Sequence, residues 1–346
     1  MAQLRATVAG VRSQGGSVAL VPTMGALHAG HLALVRSARE YVGESVQRPA
    51  VVPSGTTGTG YVVVSIFVNP LQFAPHEDYE LYPRDLLTDE ARLESLAESA
   101  PDLVYAPSLS EMYPRAPLTT VSVAQLGQRM EGAARPGHFE GVCLVVSKLL
   151  HQVEPDLVLF GRKDYQQLQV VRRMTGDLDL RAKVIGVHTV REPDGLAMSS
   201  RNAFLSGADR QAARCLSQAL AAAVRSAHET RATKQAPDPE VLRATTLATI
   251  RDEPRARVDY VEVADPDTLA PPDEERGEVS SEAGHARGPT APTPELRGEP
   301  HRGQELVTTD HQLLVAVAVH IGQTRLIDNV VVGDLEDERR LLEATS

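Results

Sequence analysis

The 346 residues are enough to bury a large core, and the length points to about two domains. With 42% hydrophobic and 23% charged residues the composition is that of a globular protein, and the net charge of −11 disfavours nucleic acid or an anionic membrane as partner, because the summed field repels polyanions. Cys143 and Cys215 stand in no paired motif, which fits a reducing compartment without structural zinc, and with no basic-then-apolar opening and no aliphatic run longer than 313–319 the chain reads as cytoplasmic.

The first strand is expected over Ser17–Val21, an apolar run that feeds Pro22-Thr23-Met24-Gly25-Ala26-Leu27-His28-Ala29-Gly30-His31. Helical spacing of Leu32, Leu34, Val35 and Ala38 then predicts a helix over His31–Tyr41. His28 and His31, three apart, share one side of that helix start, where free backbone N–H groups and the positive dipole end favour an anion. Gly25 and Gly30 leave room for a ligand or a neighbouring strand to approach. On this stretch alone, a site for nucleotide phosphates and a plain strand–turn–helix with two surface histidines both stay open.

Residues 48–60 are rich in Pro, Gly and Thr and read as a loop; their Gly-Thr repeats lack the Gly-Lys-Ser/Thr that would make a phosphate-binding P-loop. Val62–Val68 is a continuous, largely β-branched run, the pattern of a parallel strand buried on both faces. It ends in Asn69-Pro70-Leu71-Gln72-Phe73, which leaves the amides of Asn69 and Gln72 at a strand's carboxyl end, where open α/β sheets bind ligands; local turn bonding is their other use. A helix over 86–99, a strand over 103–106 and a core helix over 141–151 follow, the last carrying Val142, Val145, Val146, Leu149 and Leu150 on one face. The strand 157–160 leads into Gly161-Arg162-Lys163-Asp164-Tyr165-Gln166-Gln167, then come a helix over 165–175 and a strand over 182–187. This alternation predicts an α/β fold with a doubly wound parallel sheet over residues 1–188.

In Arg191-Glu192-Pro193-Asp194-Gly195-Leu196-Ala197-Met198-Ser199-Ser200-Arg201-Asn202 a turn signal precedes two hydroxyls beside an arginine. Helices over 207–230 and 239–251 and strands over 258–263, 313–319 and 324–332 predict a smaller C-terminal α+β domain over 189–346. Within it, residues 271–305 are rich in Pro, Gly and carboxylates, with Val279 and Leu296 almost the only large apolar side chains, and are expected to be a disordered insertion.

Three segments that each follow a strand end therefore carry groups for phosphate or carboxylate: His28 with His31, Lys163 with its flanking backbone, and Ser199, Ser200 and Arg201. Asn69, Gln72 and Gln167 add uncharged amides, and Lys163 and Gln167, four apart, share a helix face. Together they indicate a triphosphate lying among cations beside a smaller polar substrate that amides orient.

The turn 22–31 resembles the histidine signature of the nucleotidyltransferase superfamily that includes class I aminoacyl-tRNA synthetases. With Phe67–Phe73, Lys163–Gln167 and Asp194–Asn202 in that order, the chain from Val18 to Val332 resembles the pantoate–β-alanine ligase family. The resemblance implies a Rossmann-like nucleotidyltransferase fold and an ATP-dependent condensation of pantoate with β-alanine through pantoyl adenylate, releasing AMP and pyrophosphate. It implies Mg²⁺, carried mainly by the ATP phosphates, and a homodimer. By the same resemblance Met24, Gly25, His28, Gly30, His31, Gly161, Lys163, Asp164, Val190, Met198, Ser199, Ser200 and Arg201 would bind ATP. Asn69, Gln72 and Gln167 would bind pantoate, Gln72 would also meet β-alanine, and His28, His31, Lys163 and Arg201 would be catalytic.

His31 matches the family's candidate proton donor, but a bare imidazole at a helix start tends to lose its proton, so hydrogen bonding to phosphate suits it better. Asp164 either orients Lys163 or faces Mg²⁺. Arg162 departs from the acidic residue more common in the family and is expected to add positive charge beside the phosphates. Arg135-Pro136-Gly137-His138-Phe139 resembles a further family segment near the substrates. A nucleotidyltransferase that leaves a nucleotide on a phosphate-bearing acceptor would need a cation where Gln72 and Gln167 stand. A non-catalytic nucleotide-binding module would not need both histidines together with Lys163 and Arg201. A tRNA synthetase is disfavoured by the acidic balance and the lack of a basic RNA-binding appendage.

Overall fold

Aliphatic runs covered on both faces build the centre of the molecule. The computed structural model describes residues 1–43, 60–75, 77, 79–272 and 312–346. A helix that the sequence pattern did not mark, α1 (Ala2–Ser13), precedes β1 (Ser17–Thr23), α2 (Ala29–Val42), β2 (Gly60–Ile66), α3 (Leu86–Glu94) and β3 (Leu103–Tyr105). Two short helices, α4 (Leu109–Met112) and α5 (Met130–Ala134), lead to α6 (His138–Val153), β4 (Leu157–Gly161), α7 (Tyr165–Asp177) and β5 (Lys183–Val187). All pairings among these strands are parallel, in the order β3-β2-β1-β4-β5. The order reverses between β1 and β4, and such a switch point opens a crevice at the carboxyl ends of the strands.

The side chains of each strand divide between two cores, as the period of two requires. Val18, Leu20, Val63, Val158 and Phe160 pack with α1, α6 and α7, while Ala19, Val21, Val62, Val64, Leu157 and Leu159 pack with α2 and α3. The sheet is therefore covered on both sides, as its unbroken aliphatic runs predicted.

The smaller C-terminal α+β domain contains α8 (Gly207–Ala213), α9 (Cys215–Ala232), α10 (Pro239–Arg251), β6 (Ala256–Ala264), β7 (Leu313–Ile321), β8 (Thr324–Val332) and α11 (Leu335–Thr345). Its strands form an antiparallel sheet in the order β6-β7-β8. One face packs on α9, α10 and α11; from the other, Ala264, Leu314, Ala316 and Val331 join the core that contains α6 and α7.

Several expected elements shift. The helix expected over 86–99 ends at Glu94, because Ala97 takes a positive φ of 50° and only a 3₁₀ turn, Ala97–Ser99, follows. The helix expected over 207–230 divides at Arg214 into α8 and α9. The core helix α6 starts earlier than expected, at His138, directly after Pro136-Gly137. The strand expected over 62–68 is β2, displaced toward Gly60, and its continuation is held by Phe67 N–H donating to Thr23 O at 3.0 Å. The loop expected at 48–60 and the insertion expected at 271–305 lie, apart from Gly60 and residues 271–272, outside the described residues.

Candidate active site

Strand β1 delivers the chain into a turn that α3 holds from below. Asp89, only 2% exposed, accepts the amides of Ala26 at 2.9 Å and Leu27 at 2.7 Å. Arg92, on the next turn of α3, donates to the Leu27 carbonyl. Gly25 sits at φ +81°, and a Cβ there would come within 2.8 Å of Asp89 Oδ2, so the tight turn and its clamp both demand glycine.

His28 is the N-cap of α2. Its Nδ1 accepts the Gly30 amide at 3.2 Å, while His31 Nδ1 accepts the His28 amide at 3.3 Å, and the ring centroids lie 4.0 Å apart. Burial, reinforced by the Lys163 charge, pushes His28 down to about 4; burial and the neighbouring His28 push His31 down to about 3. Both rings are neutral at pH 7. With each Nδ1 used as an acceptor, the remaining proton is assigned to Nε2, so each ring offers an Nε2–H donor.

The amide turn lies beside them. Asn69, 1% exposed, caps the 3₁₀ turn Pro70–Gln72 and is committed inside the protein. Its Nδ2 donates to Gln72 Oε1 and to the Gly141 carbonyl, both at 3.1 Å, and its Oδ1 accepts the Tyr113 hydroxyl at 2.9 Å and the Leu71 amide at 3.3 Å. Gln72 Nε2 lies 3.1 Å from Met24 Sδ. The Gln72 carbonyl takes His138 Nδ1 at 2.8 Å and Arg135 Nη2 at 3.2 Å, and Arg135 grips Glu77 at 2.7 and 2.8 Å. Burial, with Arg135 adding to it, lowers His138 to about 4. The segment 135–139 thus anchors the backbone of the amide turn.

Strand β4 ends at Gly161 in a single 3₁₀ turn, Arg162–Asp164, so Lys163 stands just ahead of α7 rather than within it. Lys163 Nζ lies 3.6 Å from Asp164 Oδ1. Arg162 departs from its expected effect: it turns away to Asp334, at 2.6 Å, and that carboxylate neutralises it. Gln166 is structural, accepting the Glu131 amide at 2.9 Å and donating to the Leu126 and Arg129 carbonyls at 2.7 Å each, whereas Gln167 faces the cleft.

The third segment is a turn closed by Met198 N–H donating to Val190 O at 2.9 Å and Glu192 N–H donating to Leu196 O at 2.8 Å. It hands the chain to Ser199, whose Oγ accepts the Arg201 amide at 3.3 Å and caps the 3₁₀ turn Ser200–Phe204. Ser200 Oγ lies 3.5 Å from the Tyr82 hydroxyl. A Cβ on Gly30 would lie 3.5 Å from Met198 Cβ, so the serine loop backs directly onto the histidine turn.

A cleft of about 660 Å³ runs between the domains and is lined by Lys163, Asp164, Gln167, Ser199 and Arg201, with Arg135 and His138 on its wall. Met24 and Gly25 line a second hollow of about 270 Å³. His28, His31, Gly30, Asn69, Gln72, Gly161, Val190, Met198 and Ser200 line neither. Several of them join the cleft through its lining residues: Lys163 and Asp164 act electrostatically on both rings, and Arg135 and His138 bind the Gln72 carbonyl. Glu77, Glu131 and Asp259 also line the cleft but are held by Arg135 and Arg325. Asp164 is thus the more available carboxylate, and among the described residues no group of three or more metal-ligating side chains occurs. This donor set fits a Mg²⁺ that takes most of its ligands from phosphates and water. Sequence reasoning missed Asp89 and Arg92, whose charges look like any solvated helix face.

A family model described as pantoate-beta-alanine ligase matches residues 1–290. The pantothenate synthetase of Pelotomaculum thermopropionicum is 42% identical over 97% of this chain and 98% of its own length, and that of Sinorhizobium medicae 42% identical over 96% and 94%. Among solved structures, pantothenate synthetase from Thermus thermophilus is similar with a TM-score of 0.69 and 38% identity, covering 94% of this chain and 97% of that one. The pantoate-beta-alanine ligase of Francisella tularensis, complexed with beta-gamma ATP and beta-alanine, gives a TM-score of 0.60 and 27% identity over 95% of each chain.

Proposed function

The chain belongs to the pantoate–β-alanine ligase family, and from that premise we propose that it condenses pantoate with β-alanine at the expense of ATP, through pantoyl adenylate. The observation that carries this reading is the meeting, around the carboxyl ends of β1 and β4, of two neutral imidazoles, Lys163 and the Ser199–Arg201 loop with an uncharged amide turn.

ATP would lie with its phosphates against the Nε2–H groups of His28 and His31, Lys163, Ser199, Ser200 and Arg201. Gly25, Gly30, Gly161, Met24, Met198 and the Val190 backbone would shape the rest of its pocket. Pantoate would rest on Gln72 and Gln167, with Asn69 contributing by holding Gln72 in place. A pantoate carboxylate oxygen attacks the α-phosphorus, the bond to the bridging oxygen breaks, and charge builds on the departing pyrophosphate. Lys163 and Arg201 stabilise that charge. Neutral amides leave the carboxylate nucleophilic, where an arginine clamp would quench it. With its Nδ1 taken by the His28 amide, His31 would present an Nε2–H hydrogen-bond donor to the phosphates. Mg²⁺, when bound to the phosphates, supplies further neutralisation, with Asp164 the side chain that would hold it.

In the second step the free-base amine of β-alanine, guided by Gln72, attacks the acyl carbon. The carbon–oxygen bond to AMP breaks, AMP leaves with the electron pair, and the extra nitrogen-bound proton passes to solvent. We place the domain division near residue 188, and we assign a homodimer in the cytoplasm. The compartment is supported by two free, buried cysteines. Pyrophosphate release that requires both ATP and pantoate tests the reading; release with ATP alone, or none with both substrates and β-alanine present, would refute it.

A further inference from the structure

Two adjacent residues of β8 reach both loops that the triphosphate requires. Asn329 Nδ2 donates to the carbonyls of Arg162 at 3.0 Å and Lys163 at 2.6 Å, the turn that presents the Lys163 ammonium. Asp328 takes the Arg191 guanidinium with both oxygens, at 2.6 and 3.0 Å, and its Oδ1 also accepts the Asn329 amide at 2.8 Å. Asp328 is 2% and Asn329 5% exposed. Arg191 forms an antiparallel bridge with Ala197 and donates to the Gly195 carbonyl at 3.1 Å, so it braces the turn that ends in Ser199–Arg201. Neighbouring strand residues point to opposite faces, which lets one dipeptide hold two separate loops. The grip on the lysine turn is doubled by the Arg162–Asp334 pair, since Asp334 itself caps α11 by accepting the amides of Glu336 and Asp337 at 3.2 Å each.

We propose that Asp328 and Asn329 are positioning residues that set the spacing between Lys163 and the Ser199–Arg201 loop, so that a single strand of the C-terminal domain registers both halves of the phosphate site. This rests on reading those two loops as phosphate-binding. Side chains that only filled a buried polar niche would weaken the fold and affect all substrates alike. Positioning residues for one ligand instead act through the group they place.

A double-mutant cycle between Asn329→Ala and Lys163→Ala separates the two. Asn329→Ala is expected to lower kcat/KM for ATP about 10- to 100-fold, the scale of a misplacement near 1 Å, while KM for pantoate stays nearly unchanged. In the Lys163→Ala background most of that loss should vanish, because its agent is already gone. A rise in KM for pantoate as large as that for ATP, or full additivity, would overturn the proposal. Should Asn329→Ala fail to fold, Asp334→Asn removes only the outer ion pair and carries the same cycle, with a smaller ATP-specific loss that again disappears with Lys163. A Lys163→Ala enzyme with unaltered ATP kinetics would overturn the phosphate reading and this inference with it. An enzyme that needs Lys163 but is indifferent to both Asn329 and Asp334 would overturn the inference alone.

Discussion

His28 and His31 together cap the start of α2: His28 Nδ1 accepts the Gly30 amide and His31 Nδ1 accepts the amide of His28. The two bonds satisfy two donors at the helix start and, in the same act, fix which nitrogen of each ring carries the proton. Structure and chemistry use opposite edges of the same imidazoles.

That arrangement has a pH signature. Burial lowers His28 to about 4 and His31 to about 3 from 6.5, and His138 falls to about 4 for the same leading reason. Below about pH 6.5 the unfolded chain binds protons that the folded chain refuses, so stability is fully present above that pH and lost as pH falls through about 4. Urea midpoints should drop between neutral pH and about pH 5, and the drop should be shallower in His31→Asn. Equal midpoints at both pH values in the parent protein would contradict the assignment of neutral, buried rings.

Gly30→Ala isolates the ring geometry. Alanine favours a helix over glycine by about 1 kcal/mol, so the backbone alone predicts a stabler protein. A Cβ at this position would meet His28 Cε1 at 2.9 Å, and the ring is the part able to move. The expected variant is folded with a melting temperature near that of the parent, yet impaired in kcat because His28 is displaced. Full activity would show that His28 need not stand where its cap holds it.

Asp89→Ala removes the clamp under the same turn and strands the buried amide of Leu27 and the half-buried amide of Ala26. Leaving such donors unsatisfied costs about 1–3 kcal/mol each, so the denaturation midpoint should fall clearly. Activity of the remaining folded enzyme should fall as well, since the histidine turn loses its support. A variant with unchanged stability would show that another group takes over those amides.

Asp89 and Arg92 mark where the sequence stops being legible. The strands were readable because burial on both faces leaves an unbroken aliphatic run, and the histidine, amide and lysine segments because their groups lie close together in the chain. The clamp connects positions 63 apart, and Arg162 finds Asp334 across 172 residues, so no local pattern could reveal that its added charge is neutralised. Asn69 and Gln72 read alike as turn amides; only packing shows that Asn69 serves Gln72. The flanking helices were missed because α1 buries little beyond Leu4 and Val8, and α11 is too strongly charged to stand out.

Lys163→Ala and Gln72→Ala should separate the two substrate pockets. Lys163 meets charge that grows on the leaving pyrophosphate, and losing a well-placed electrostatic donor typically costs about 10²–10³ in kcat. Gln72→Ala should lose mainly kcat/KM for pantoate. ATP binding without pantoate, followed by calorimetry, should weaken in the lysine variant and hold in the glutamine variant. Lost ATP binding with intact pantoate affinity in Gln72→Ala would reverse the assignment.

A separate adenylate step makes the α-phosphate bond break before β-alanine arrives, and positional isotope exchange reads that cleavage. ATP carrying ¹⁸O in the α–β bridge is incubated with enzyme, Mg²⁺ and pantoate, without β-alanine. Reversible attack on the α-phosphorus frees the pyrophosphate to rotate in the cleft, so the label should scramble into the β-nonbridging positions only when pantoate is present. Scrambling that appears only after β-alanine is added, or none under either condition in an enzyme that still makes pantothenate, would rule out a separate adenylate step.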